Sequence, residues 1–112
     1  MNENSIRHLP EKQRYVLEDA GTQIGAAHYR EVPGSTDEGT DRIFFHTVVD
    51  EAYGGQGLAG KLANYALTDT VAQGAQIVAV CPYIKAYVAK HHDFDAHLVK
   101  VAARHLAALP KD

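Results

Sequence analysis

Residues 42–61 read "RIFFHTVVDEAYGGQGLAGK", and the pattern of this stretch decides the fold. Its first eight residues are rich in β-branched and aromatic types, which favours a strand. After the glycines, apolar residues recur at helical spacing over residues 57–73, which predicts a helix. The apolar stripe of that helix consists of Ala59, Leu62, Ala63, Ala66, Leu67, Thr70 and Val71. The run "AQIVAVC" at 75–81 is almost continuously apolar, as in a parallel strand covered on both faces, so the stretch predicts a β-α-β unit.

An antiparallel hairpin is predicted before this unit, with strands at 14–18 and 23–32 on either side of the turn residues in "DAGT". After the unit, Pro82 ends the strand, and helices are predicted at about 83–91 and 96–109. Residues 1–13 are polar and are expected to form a flexible tail. The chain of 112 residues fits one domain, which we place at 14–112 and assign to the mixed α+β class.

Composition narrows the class of function. The formal net charge of −3 argues against general binding to nucleic acid or to anionic membranes. No apolar run reaches the length of a membrane span, and the first residues lack the apolar centre of a signal peptide, so we expect a cytoplasmic protein. The single cysteine, Cys81, excludes an internal disulfide and a cysteine-based zinc cluster. His91, His92 and His97 match no zinc spacing, so we expect no metal.

The glycine turn raises the question of a phosphate ligand. Gly55, Gly57 and Gly60 spell G-x-G-x-x-G, the pattern typical of dinucleotide binding. Glycines let successive N–H groups point inward, and the helix start adds unpaired donors and partial positive charge. NAD fits poorly, because four residues separate the strand from the glycines and no carboxylate ends the next strand. A turn that binds nothing is the alternative.

Longer motifs carry a family resemblance. The segments "HTVVDEAYGGQGLAGKLANYAL" and "VAVCPYIKAYVAKHHDF" resemble the small YjdJ-type branch of the GNAT superfamily, which comprises acyl-CoA-dependent N-acyltransferases. Gly57 and Ala59 match the last two positions of the superfamily's phosphate loop, Gln/Arg-x-x-Gly-x-Gly/Ala. Gly54 stands at its first position, so one side chain is missing there and weaker binding is expected. Lys61, Lys85 or Lys90 could supply charge instead.

The resemblance, which covers about 14–95, implies a minimal GNAT-like fold and acetyl-CoA as the donor. It implies that the two parallel strands splay apart near Thr47–Val49 and Val80–Cys81 and that the pantetheine lies between them. A backbone N–H on Val48 or Val49 would polarise the thioester. The predicted cofactor-binding residues are Thr47, Val48, Val49, Gly54, Gly55, Gln56, Gly57, Leu58, Ala59, Gly60, Lys61, Tyr83 and Lys90.

Three side chains are candidates for catalysis. His46 is a candidate to accept the proton of the amine, because a histidine side chain accepts a proton near neutral pH. The alternative is that it is a partly buried strand histidine whose ring is satisfied by hydrogen bonds. Cys81 could carry the acetyl group, but a cysteine that ends an apolar strand is more often a core residue that lines a pocket. Tyr83 and Tyr87 share one face of a helix, and the resemblance implies that Tyr87 protonates the leaving thiolate; packing is the alternative role.

The acceptor is expected to be an exposed primary amine, as on a protein or peptide. Full-length superfamily members place two helices between their first two strands, whereas here about four turn residues separate them. The acceptor side should therefore be open. A CoA-binding sensor or interaction module with little turnover is the competing hypothesis. The last predicted helix could pack on its own core or on a second copy, which leaves a monomer or a weak homodimer.

Overall fold

The computed structural model describes residues 4–34, 39–54 and 57–110. Within them one sheet has the strand order β1-β2-β3-β4-β5, antiparallel except for the parallel pair β4 and β5. The strands are β1 (Asn4–Leu9), β2 (Arg14–Asp19), β3 (Thr22–Pro33), β4 (Thr40–Val49) and β5 (Gln76–Ala79). The helices are α1 (Leu58–Ala72), α2 (Pro82–Lys90) and α3 (Ala103–Ala107), and 3-10 turns span Pro10–Lys12, Glu51–Tyr53 and His92–His97. This is the predicted mixed α+β fold.

Strand β1 corrects the prediction of a flexible tail over residues 1–13 for residues 4–13, and residues 1–3 lie outside the described part of the chain. It pairs with β2 along its whole length, with Ile6 opposite Leu17 and His8 opposite Tyr15. The stretch is polar in composition, yet Ile6 and His8 alternate with exposed residues and turn toward the core. The His8 ring stacks on the Tyr15 ring at a centroid distance of 4.2 Å. Two inward side chains and a ladder of hydrogen bonds therefore hold a segment that composition alone marks as loose.

The predicted hairpin of β2 and β3 is confirmed, and Ala20 and Gly21 form its turn with φ of 51° and 86°. Between β3 and β4 the register shifts after His28, which pairs with His46, while Tyr29 pairs with Phe44. Phe45 is therefore the extra residue of a β-bulge. Phe45 and His46 both point to the same side of the sheet, and regular alternation resumes at Thr47.

The sheet has two distinct faces. The helical face carries the core cluster, in which the fully buried Phe44 and Ile77 pack with the apolar side of α1. The predicted stripe of α1 is confirmed: Leu62, Ala63, Ala66, Leu67 and Thr70 are buried, and Ala59 and Val71 are partly buried. We call the opposite side the outer face. The register places on it Arg14, Val16, Ala26, His28, His46 and Val48.

The predicted helix over 96–109 is wrong. A 3-10 turn at His92–His97 leads to Leu98, which bridges Ile77 in parallel, and the Val99 N–H donates to the Ile77 carbonyl at 2.8 Å. The chain thus supplies hydrogen bonds to the free edge of β5, which a helix could not do. Of the described residues after His97, only the five of α3 form an α-helix.

Helix α3 is held by a buried carboxylate. Asp41, which is fully buried, accepts from Arg104 at 2.7 Å and from His105 Nε2 at 2.9 Å. The Nδ1 atom of His105 accepts from the Ala102 N–H at 2.9 Å. No helix in the described part of the chain is both long and apolar enough to cross a membrane.

Candidate functional site

The parallel strands part at Phe44. Pairing of β4 with β5 runs from Asp41 opposite Gln76 to Phe44 opposite Ala79. The Phe44 carbonyl then accepts both the Val80 N–H at 3.0 Å and the Cys81 N–H at 2.9 Å. Pro82 begins α2 and turns the chain away, so residues 45–49 of β4 have no strand partner on this side among the described residues. We call the opening between these residues and Val80–Cys81 the strand gap; it is the splay that the family resemblance implies.

Unpaired donors face the strand gap. The Asp50 N–H donates to the Ile24 carbonyl of β3 at 2.7 Å. Backbone directions alternate along a strand, so the Val48 N–H also faces β3, whereas the N–H groups of Thr47 and Val49 face the gap. Of the two residues predicted to polarise a thioester, Val49 therefore has the suitable direction and Val48 does not. The Thr47 hydroxyl oxygen is also buried and has no hydrogen-bond partner among the described residues.

The glycine turn leaves the start of α1 open. Gly57 precedes the helix with a left-handed φ of 72°, and no side chain of the described residues caps the helix. The first intrahelical bond runs from the Lys61 N–H to the Gly57 carbonyl at 3.2 Å, so the N–H groups of Leu58, Ala59 and Gly60 have no acceptor in the helix. These donors and the helix dipole suit an anion. Gly55 and Gln56 lie outside the described residues.

Two adjoining cavities lie beside these donors. The larger, of about 480 Å³, is lined by residues that include Val49, Gly54, Gly57 and Tyr83. The smaller, of about 190 Å³, shares Gly60 and Tyr83 with it and continues to Tyr87, Lys90 and His91. A Cβ on Gly60 would lie 3.7 Å from the Tyr83 hydroxyl, so the last glycine of the motif sits where α1 meets the tyrosines of α2. Together the cavities form one groove from the strand gap across the start of α1.

The two tyrosines of α2 stand as neutral phenols in this groove. Their ring centroids are 6.4 Å apart, and Tyr87 also stacks on His91 at 4.2 Å. Burial raises the pKa of both Tyr83 and Tyr87, and the neighbouring Tyr83 and Asp93 add to the rise in the pKa of Tyr87. Each can therefore donate a hydrogen bond or a proton at neutral pH.

The sheet divides the predicted catalytic residues. Cys81 is buried in the core cluster at the closed end of the strand gap, and Tyr87 lies on the same, helical side. His46 is exposed on the outer face, where its ring lies 5.5 Å from that of His28. The predicted proton acceptor and the predicted proton donor thus lie on opposite sides of the sheet.

The predicted lysines also separate. Lys90 lines the groove, whereas Lys61 lines a different surface depression, between α1 and Ile6 of β1. Lys85 is exposed on α2. Placement therefore favours Lys90 over Lys61 as the charge near a ligand in the groove.

Sequence reasoning missed three features of this site. Asp50 caps the turn after β4 by accepting from the Ala52 N–H at 2.9 Å, and Tyr53 lines the larger cavity while its hydroxyl donates to Asp19 at 2.7 Å. The order Asp50-Glu51-Ala52 is a capping signal that could have indicated this ordered turn. The unpaired Thr47 hydroxyl has no such local signal, because its burial depends on contacts between segments.

Known proteins resemble this chain in sequence profile and in fold. The profile of the family described as GCN5-related N-acetyl-transferase matches residues 14–98. A GCN5-like putative N-acetyltransferase from Staphylococcus aureus superposes with a TM-score of 0.60 at 19% identity, covering 94% of this chain and 97% of that one. No curated protein sequence matches significantly.

Two larger enzymes share the fold. An aminoglycoside acetyltransferase from an uncultured soil metagenomic sample, in complex with sisomicin, has a TM-score of 0.56 at 14% identity over 70% of this chain; the match covers 53% of that protein, about half its length. Naa50 of Arabidopsis thaliana, in complex with the bisubstrate analogue CoA-Ac-MVNAL, has a TM-score of 0.50 at 16% identity and covers 59% of this chain and 44% of that one. With most of the sequence matched by the family profile and the splayed sheet in place, the chain belongs to the GCN5-related N-acetyltransferases.

Proposed function

We propose that this protein transfers the acetyl group of acetyl-CoA directly to a primary amine. The observation that carries the proposal is the strand gap, whose unpaired donors continue into the uncapped start of α1. Acetyl-CoA is an extended, polar acyl carrier with a diphosphate, so it has the shape and chemistry to fill both the strand gap and the start of α1. The Naa50 neighbour, whose complex contains a CoA-linked analogue, supports this choice of carrier.

In this proposal the diphosphate binds the N–H groups of Leu58, Ala59 and Gly60, with Lys90 adding charge from α2. The pantetheine arm runs into the strand gap and pairs with the N–H groups of Thr47 and Val49. The thioester then lies toward the closed end, beside Cys81. An N–H group aimed at the thioester oxygen stabilises the negative charge that develops there.

The two sides of the sheet divide the chemistry. The amine approaches from the outer face, since α1 and α2 cover the other side, and His46 accepts its proton there. The nitrogen attacks the thioester carbon, the C–S bond breaks, and the Tyr87 phenol gives a proton to the leaving thiolate. Cys81 lines the acetyl pocket in this scheme and forms no bond with the substrate.

The acceptor is proposed to be an exposed amine of a protein or peptide. The turn between β2 and β3 consists of Ala20 and Gly21, so no helices cross the outer face at that point. Val48, which lies next to His46 on that face, is 45% exposed. A large acceptor can therefore approach the strand gap without passing through a tunnel.

Calorimetry with acetyl-CoA and with NAD tests the carrier, and mass spectrometry of a small amine panel tests the transfer. We expect acetyl-CoA to bind and NAD not to bind. Tyr87→Phe should lower the rate of transfer by about 10²-fold or more while leaving acetyl-CoA affinity nearly unchanged. Tyr83→Phe is the matched control, because it removes a phenol hydroxyl one helical turn away, and it should leave the rate of transfer nearly unchanged. Binding of NAD without binding of acetyl-CoA would refute the proposal.

Substitutions of His46 and of Cys81 are expected to affect the rate of transfer differently. His46→Gln should slow transfer, because the amide side chain cannot accept the proton of the attacking amine. Cys81→Ala should keep much of the activity, because the thiol only lines the pocket. A hydroxylamine-sensitive acetyl adduct on wild-type Cys81 that passes to an amine would instead establish a covalent mechanism.

A CoA-binding module with little turnover is the second candidate. Gly54, which replaces the usual Arg or Gln of the loop, and the exposure of His46 favour it. Tight acetyl-CoA binding without acetylation of any amine would support this candidate over the enzyme.

A further inference from the structure

Basic side chains form a row on the outer face. Arg14 of β2 pairs with His28 of β3, and His28 pairs with His46 of β4. Adjacent strands lie about 4.8 Å apart, so the row runs about 10 Å from Arg14 to the strand that borders the gap. Arg30 lies two residues along β3 from His28, with its guanidinium 5.3 Å from the centre of the Phe45 ring. We call Arg14, His28, Arg30 and His46 the basic row.

The arginines of the basic row lack the partners that the other arginines have. The chain contains five arginines. Three form ion pairs: Arg7 with Glu18, Arg42 with Glu31 and Arg104 with Asp41. In the described part of the chain Arg14 and Arg30 pair with no carboxylate, and the buried Nε atom of Arg14 has no hydrogen-bond partner at all. Arg30 donates only to the neighbouring Tyr29 carbonyl, at 2.9 Å.

The surroundings of His28 confirm that this region is electropositive. Burial lowers the pKa of His28, and Arg14, His46 and Arg30 lower it further. The strand carboxylates that share the outer face, Glu18 and Asp41, are already engaged by Arg7 and by Arg104 with His105. Asp50 and Glu51 line the depression beside His28 and Val48, so the positive charge of this face is concentrated at Arg14 and Arg30, on a protein whose net charge is −3.

We propose that the basic row is the acceptor-binding surface and that it selects an acidic peptide segment carrying the acceptor amine. This inference rests on the proposed function for the position of the amine, which lies at the strand gap beside His46. Unpaired guanidinium groups on a half-buried sheet bind carboxylates through charge-assisted hydrogen bonds. The row's length of about 10 Å equals about three residues of extended peptide, so the acidic side chains should lie two or three residues from the amine.

Three capped peptides of equal length, each with one central lysine, test the proposal. The residues two and three positions from the lysine are Glu in the first, Gln in the second and Arg in the third. Binding is measured by the anisotropy of an uncharged dye at low and high salt, and acetyl-CoA binding is measured separately by calorimetry. We expect the Glu peptide to bind at least about fivefold more tightly than the Gln peptide at low salt, with the Arg peptide weakest.

Variants locate the effect. Arg14→Gln and Arg30→Gln should each reduce the preference for the Glu peptide by about threefold while leaving acetyl-CoA affinity unchanged. Arg7→Gln is the matched control, because Arg7 lies on the same face but already pairs with Glu18. It should leave the preference intact. Circular dichroism of each variant checks folding, and Arg30→Gln serves if Arg14→Gln does not fold.

The outcomes separate this proposal from the proposed function. Preference for the Glu peptide without acetyl-CoA binding would support the docking surface and refute the acetyltransferase. Equal affinity for the three peptides, together with acetylation of all three, would refute the docking surface and leave the proposed acetyl transfer in place. A concentration-dependent dimer that Arg14→Gln abolishes would also overturn the proposal, since the row would then belong to an interface between two copies.

Discussion

The two ends of α1 share a backbone feature and differ in chemistry. Gly57 before the helix and Gly74 after it both adopt left-handed φ, of 72° and 82°. At the C-terminal end, Asp69, Thr70 and Gln73 are tied to the sheet by side-chain hydrogen bonds. At the N-terminal end the first N–H groups have no acceptor in the helix and face a cavity. One end fixes the helix in place, and the other remains available to a ligand.

The tied end is organised by Arg42, which is 4% exposed. Its nitrogens donate to Glu31 at 2.8 Å, to the Tyr15 hydroxyl at 2.6 Å, to Thr70 at 3.2 Å and to Gln73 at 3.0 Å. The Tyr15 hydroxyl in turn donates to Asp69 at 2.6 Å. Burial and this hydrogen bond raise the pKa of Tyr15, so the phenol stays protonated as the network requires. A fully satisfied polar network of this kind makes the position of the helix unique.

Removing Arg42 should have the largest effect. Arg42→Met leaves the buried polar groups that it bonds without partners, and we expect the free energy of unfolding to fall by about 3 kcal/mol or more. Arg7→Gln, which breaks an exposed ion pair, should cost less than about 1 kcal/mol. Urea denaturation of both variants measures the difference. Equal small losses would mean that the network does not anchor α1.

The two glycines permit a matched test of the open end. Gly57→Ala and Gly74→Ala each force a side chain into left-handed φ, and each should cost about 1 kcal/mol of stability. Only Gly57→Ala should weaken acetyl-CoA binding, by about tenfold, because its Cβ stands beside the proposed phosphate donors. Calorimetry and thermal denaturation measure the two quantities. A similar loss of affinity in Gly74→Ala would show that the effect comes from strain and not from contact.

Two lysines sharpen the assignment of the ligand groove. Lys90→Gln should weaken acetyl-CoA binding by about threefold and reduce its salt dependence, since Lys90 lines the groove. Lys61→Gln should leave affinity unchanged, although Lys61 is closer in sequence to the glycines. Titrations at two salt concentrations decide between them, and a larger effect of Lys61 would move the diphosphate to the other side of α1.

The smallest expected effect is the pH dependence of stability at His8, whose Nδ1 atom lies 3.4 Å from the Asp69 carboxylate at the tied end of α1. Burial, followed by the charge of Arg42, lowers the pKa of His8 from its ordinary value of 6.5. The unfolded chain therefore binds a proton at this residue more readily than the folded one, and stability should fall as pH drops below about 6.5. His8→Gln should flatten that fall, because the glutamine side chain takes up no proton in this pH range. Urea denaturation at several pH values gives the slopes.

The sequence patterns of single segments correctly predicted those parts of the fold that one segment determines by itself. The stripe of α1, the hairpin turn and the apolar strand β5 each carry a periodicity that one segment can express. Strand β1 escaped prediction because its alternation involves only Ile6 and His8 in a polar stretch. The segment after α2 looked helical by spacing, but the free edge of β5 competes for its backbone, and Val99 pairs with Ile77 instead.

The candidate site shows the same division. The motif around Gly57 predicted an open helix start, since the backbone property belongs to the glycine itself. The direction of the Thr47, Val48 and Val49 groups could not be predicted, because it depends on the register of β4 against β3. The separation of His46 from Cys81 and Tyr87 by the sheet also follows from that register.

The bulge at Phe45 has a consequence for how this protein can change during evolution. Phe45 and His46 both point to the outer face, so the bulge adds one residue to β4 while Thr47 and Val49 keep the helical side and Val48 keeps the outer face. Loss of the Phe45 codon would remove the bulge and leave these directions unchanged, because regular alternation from Phe44 gives the same directions. The extra residue thus allows this strand to change length by one without exchanging the carrier side and the acceptor side. We expect deletion of Phe45 to be tolerated, together with changes of length in the turns of this sheet.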